Sequence, residues 1–98
     1  MDNTKQTGTP VMVTTEFRGV FFGYMREQPK DGSITIEQAQ NCVYWSMDVH
    51  GFMGLASSGP TKNCKIGPAV RSITLNKVTA VVEVSPEAAA KWKTAPWA

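Results

Sequence analysis

Few residues in this chain have the chemistry to make or break bonds: Cys42, Cys64, the single histidine His50, and the serines of "LASSGP". A serine or cysteine nucleophile needs a base held against it. Cys42, Asp48 and His50 can be written as a triad, but closeness along the chain carries no triad geometry. The two serines do not sit in the glycine-x-serine-x-glycine elbow. Zinc would have to draw on Cys42, Cys64, His50 and Asp48, whose spacings match no paired-ligand pattern. The 8 acids cluster nowhere, so acid–base work by two carboxylates has no support. A phosphate loop of the glycine-lysine-serine kind and a dinucleotide fingerprint are both missing. The chain therefore reads as non-enzymatic, with no metal and no cofactor. Its two cysteines read as reduced, buried thiols.

Binding chemistry is better represented. Residues 51 to 68, "GFMGLASSGPTKNCKIGP", hold four glycines, two prolines and two lysines, with no acid. Main-chain N–H groups of a tight glycine-rich turn can converge on one anion, and a nearby lysine adds charge. On this reading Ser57, Ser58, Gly59 and Thr61 supply donors and a stiff turn, and Lys62 and Lys65 meet phosphate. Tyr44 or Trp45, a little earlier, stacks on a base. The plainer reading has Gly59 and Pro60 ending a short helix, Phe52 and Leu55 filling core, and Lys62 facing water.

The wider charge pattern points the same way. Net charge is only +2, which demands no nucleic-acid partner. Yet Val49 to Val82 contains no acid, while Lys62, Lys65, Arg71 and Lys77 lie within it. With 10 bases and 8 acids in all, that span carries +4 and the remainder −2. A concentrated positive field attracts anions, provided the lysines share one face in space.

The elements that must position these residues are mostly strands. Residues 1 to 9 read as a flexible tail and 10 to 98 as one globular domain. "VMVTTEF" alternates with strand period. "GVFFGYM" is a second strand, reached from the first by a bend or tight turn over Glu16 to Gly19. Gly23 within it signals a bulge or a close backbone approach. Phe21 and Phe22 must face opposite sides, with Tyr24 beside Phe22 unless a bulge intervenes. An exposed aromatic face would imply base stacking or contact with another subunit.

Pro29 and Asp31-Gly32 mark a hairpin leading to a strand through Ile34 and Ile36. "AQNCVYW" reads as a turn and then a strand, and "SMDVHG" as a loop. "FMGLASS" supports one or two helical turns, and "TKNCKIGPAV" is irregular. Two strands, "SITLN" and "VTAVVEV", are separated near Asn76-Lys77. Ser85 as N-cap, Pro86 at the first helical position and Glu87 in the first turn open a terminal helix. Trp92 should pack back on the body. The expectation is a mainly β fold: about five strands in a small antiparallel barrel or strongly curved sheet, one short internal helix and a C-terminal helix.

Four segments together carry a resemblance: "RGVFFGYM", "CVYW", "GFMGLASSGPTKNCKIGPAV" and "ITLNKVTAVVEV". They resemble small accessory proteins carried by bacteriophages and prophages, over about residues 12 to 84. The most specific residues are Trp45, Gly51, Gly54, Leu55, Ala56 and Gly59 to Thr61. The resemblance implies action by binding in the host cytoplasm. It would sequester a nucleotide-like defence signal, as a homo-oligomer, or block a host protein. Single-stranded nucleic acid is a further, less favoured partner. No membrane partner is expected, because the start has no signal-peptide core and no apolar run spans a bilayer.

Overall fold

The computed structural model describes residues 8–16, 19–45, 47, 50–61 and 63–94, without the side chain of Phe52. Six strands and two helices follow in the order β1 (Thr9–Thr15), β2 (Val20–Met25), β3 (Ile34–Tyr44), α1 (Gly51–Ser57), β4 (Lys65–Ile66), β5 (Val70–Leu75), β6 (Val78–Glu83) and α2 (Pro86–Thr94). The assigned tail loses its last residue to β1, where Thr9 pairs with Met25. The rest of that tail, up to residue 7, lies outside the described residues, as do Asp48 and Lys62. Between β1 and β2 the tight-turn reading holds: Thr15 N–H reaches Gly19 O at 3.0 Å, and the strands pair antiparallel.

All ladders are antiparallel, and the strand order is β4-β3-β2-β1-β6, with β5 also on β3. β3 is one strand of 11 residues, not a turn followed by a strand. The reason is a bulge. Phe22 faces Gln40 and Tyr24 faces Glu37, so β3 carries an extra residue, and Gln38 takes φ 51. Its broken alternation imitates a turn. Gly23 sits opposite this bulge. A Cβ there would lie 2.8 Å from Ile36 Cδ1 and 3.0 Å from Glu37 O, so that glycine marks both a bulge in the pairing and a close approach. The segment expected to be irregular contains β4 and the start of β5.

The sheet is strongly curved but does not close into a barrel. Between β5 and β6 there is no ladder, although four interstrand steps separate them. In a flat sheet those steps span about 19 Å. Yet only Asn76 and Lys77 join Leu75 to Val78, a reach of at most about 11 Å. The sheet must therefore coil until opposite corners meet. Two bonds record the meeting: Val78 N–H to Gly32 O and Glu16 N–H to Lys77 O, both 3.0 Å. Closure at that corner is covalent, through the chain.

Coiling gives the sheet two apolar faces. Inside lie Val11, Val13, Met25, Ile34, Ile36, Ala39 and Leu75, with Phe21 partly buried against them. Outside, Met12, Phe22, Tyr24 and Cys42 pack beneath the helices with Leu55, Ala88 and Trp92. Phe21 and Phe22 face opposite sides, and Tyr24 stands with Phe22, as strand period requires. Both faces are covered, so β2 presents no exposed aromatic face, which corrects that expectation.

Trp92 fastens α2. Its ring stacks on Phe22 at 5.1 Å, and its Nε1–H donates to Leu55 O at 3.1 Å. Ser85 caps α2, its Oγ accepting from Ala88 N–H at 3.0 Å and donating to Ser57 O at 2.9 Å. Buried Gln40 ties β3 to α2 and to the residue after β4, donating to Trp92 O at 3.0 Å and Gly67 O at 3.3 Å. No helix among the described residues is long and apolar enough to cross a membrane.

Candidate functional site

The acid-free span does not form one positive face. Lys65 lies on β4 opposite Tyr44, while Lys77 follows Leu75, which pairs with Ile34. These are the two ends of β3, roughly 30 Å apart along the strand. That exceeds the screening length of about 8 Å at physiological salt several-fold. Lys77 is also paired with Glu16 at 3.6 Å, and exposed Arg71 on β5 has no ion-pair partner among the described residues. Lys62 lies outside the described residues.

What the fold does bring together is Tyr44 and Lys65. They are direct cross-strand partners, 21 positions apart in the sequence, and both are exposed. Register moves here too: Cys42 pairs with Ile66 and Tyr44 with Lys65, leaving Val43 as an extra residue on β3. Trp45 is partly buried, packed against the core under the helices. Its stacking face is thereby restricted, and Tyr44 is the freer ring.

The "SSGPT" residues form a different place. Ser57 and Ser58 are exposed at the end of α1, their hydroxyls 3.4 Å apart. Gly59 has φ 89, and its N–H donates to Gly54 O at 3.2 Å. That donor is already used, and Pro60 has none. A Cβ at Gly59 would lie 2.9 Å from Lys91 Cβ and 3.1 Å from Ala88, so α2 packs directly on this glycine. Thr61 is half-buried; its Oγ1 accepts from Asn63 N–H at 3.3 Å and lies 3.7 Å from Cys64 Sγ. Helix termination, the plainer reading, accounts for Gly59 and Pro60. No hydrogen bond or ion pair among the described residues links the serines to Tyr44 or Lys65.

The thiols are buried and free. Burial pushes the Cys42 thiol up to about 12, the nearby Cys64 adds to this, and backbone hydrogen bonding at Tyr44 opposes it. His50 is exposed at the start of α1 with φ 65. Among the described residues no group of three His, Cys, Asp or Glu could hold a metal.

Sequence reasoning missed two features. Val43, Met47 and Met53 are exposed apolar side chains around Tyr44 in the chain, Met47 at 94%. A cavity of about 370 Å³ also lies under the β2–β3 arm, lined by none of residues 44 to 65. The arm was legible as a hairpin; the unequal lengths of its two sides were the available signal.

These elements define a small, mainly β domain: an open, coiled antiparallel sheet with two helices on its outer face. The chain belongs to a family of domains of unknown function, DUF6948, whose family model matches residues 8–92. No curated protein and no solved structure matches it.

Proposed function

We propose that this is a non-enzymatic binding protein that holds a small anionic, nucleotide-like ligand over Tyr44 and Lys65, as a homo-oligomer. The observation that carries the reading is the cross-strand pairing of an exposed aromatic ring with an exposed cation. A base stacks on the ring, and Lys65 meets the phosphate. Trp45, next to Tyr44 in the chain, is partly buried against the core and leaves Tyr44 as the stacking ring. Ser57, Ser58, Gly59 and Thr61, at the end of α1 and in the turn after it, are left out of this site. Cys42 is buried and its raised thiol keeps the thiolate scarce, which counts against it as a nucleophile. The phage resemblance suggests the setting: a sink for a host defence signal in the host cytoplasm.

Native mass spectrometry of gently purified protein, then titration with adenosine monophosphate and inorganic phosphate, tests this. It reads subunit number and bound mass together. Loss of one stacked ring costs about 1–3 kcal/mol, so Tyr44→Ala should weaken nucleotide binding by about fivefold or more. Lys65→Ala should weaken both anions. A folded double variant that binds unchanged would sink the site.

A second reading is favoured by the exposed Val43, Met47 and Met53. Exposed apolar side chains suit a protein partner where they share one face. It predicts indifference to nucleotides and loss of the partner on Met47→Asp. Single-stranded nucleic acid would instead give affinity falling steeply with salt.

A further inference from the structure

The β2–β3 hairpin is not laddered along its whole length. Met25 stands opposite Ile36, and Lys30 stands opposite Ser33. Between those rungs one side has Arg26, Glu27, Gln28 and Pro29, and the other only Ile34 and Thr35. The longer side must bow away from the shorter. The gap is the cavity of about 370 Å³, with Arg26, Glu27, Lys30, Ser33, Thr35 and Glu37 in its lining. That volume falls in the range of small-ligand pockets.

The main chain at the gap has an orientation. Successive residues of an antiparallel strand turn their N–H and C=O to alternate edges. Reciprocal 2.9 Å bonds between Lys30 and Ser33 turn Ser33 toward the bowed side. Ile34 then faces β5, and Thr35 faces the bowed side again. Across β5, Thr35 and Thr74 are accordingly a close pair without mutual main-chain bonds, and their hydroxyls meet at 2.7 Å. On the bowed side, no backbone partner for Thr35 exists among the described residues. A strand donor and a strand acceptor thus front the cavity without a rung.

The charges around it are unequal in their commitments. Arg26 is held by Glu37 at 3.1 Å. Lys30 and Glu27 have no ion-pair partner among the described residues. We propose that the cavity binds a short extended peptide, one residue of which completes the missing rung on Thr35. The peptide presents charged groups of both signs to Lys30 and Glu27. This is strand addition over a single rung, with the rungs on either side holding the gap open. It shares no residue with the Tyr44–Lys65 surface and stands or falls separately.

The test is an amide-resonance titration of isotope-labelled protein with three probes: trialanine with free termini, its N-acetyl C-amide counterpart, and inorganic phosphate. Free trialanine at millimolar concentration should move the Thr35 amide resonance and slow its hydrogen exchange. The blocked peptide should bind several-fold more weakly. Lys30→Ala should weaken binding several-fold with the thermal midpoint unchanged. A Thr35 resonance that does not respond to trialanine overturns the proposal. So does an equal response to phosphate, a blocked peptide that binds as well as the free one, or a folded Lys30→Ala, Glu27→Ala variant with unchanged affinity.

Discussion

Gly59 and Gly51 have almost the same backbone, φ 89 and φ 83, and different surroundings. Nothing lies near a Cβ built at Gly51, whereas at Gly59 α2 is in the way. Substitution by alanine separates backbone strain from crowding. Gly51→Ala should cost about 1 kcal/mol, the price of the left-handed region alone. Gly59→Ala should cost more, about 2–4 kcal/mol, because α2 must also shift. Urea titration of both reads the difference, and equal losses would mean that α2 yields freely.

Cys42 offers a second test at this scale. Its folded thiol is raised to about 12 from 9.0, so above pH 9 the unfolded chain gives up a proton that the folded chain keeps. Stability is full below that pH and falls as pH rises through the folded value. Cys42→Ala should flatten the loss of thermal midpoint between pH 9 and 11 relative to the parent. Parallel curves would mean that the thiol ionises as easily folded as unfolded.

Among the elements, α2 depends on one ring and one hydroxyl. Trp92→Ala removes a fully buried side chain, its stack on Phe22 and its bond to Leu55 O, and should cost about 3–5 kcal/mol. Ser85→Ala should cost about 1–2 kcal/mol, since Oγ both caps α2 and holds Ser57 O. Guanidinium unfolding ranks the two; a Trp92→Ala loss below that of Ser85→Ala would contradict the packing described. These features were legible because they are local. An N-cap, a proline at the first helical position and an alanine run announce α2 within ten residues. β3 was not legible as one strand, because the extra residue at Gln38 breaks the alternation that identifies strands. The Tyr44–Lys65 pairing was hidden for the same reason: its register passes through the extra Val43, and no local pattern encodes a partner 21 positions away. Tyr44 and Lys65 were each picked out by residue type; their adjacency came from the fold.

At the scale of the whole molecule, the two apolar faces share β1, β2 and β3, so neither can melt alone. Val13→Ala on the inner face and Leu55→Ala on the outer should each lower a single transition. Tryptophan fluorescence and far-ultraviolet dichroism should trace it identically. Separate midpoints in either variant would mean that the faces are independent units. The curved sheet itself was foreseeable from many short strands with short connections; the open seam was not, because strand order is set by contacts between distant segments. The corner at Asn76–Lys77 also imposes an order of events during synthesis. β1 is made before β6 but gains it as its second neighbour only 65 positions later, for the bonded Thr14 and Thr79. Until then Val11 and Val13 have no completed interior to enter. The growing chain must hold β1 in suspense until β6 has been made, a long-range pairing of the kind that slows folding.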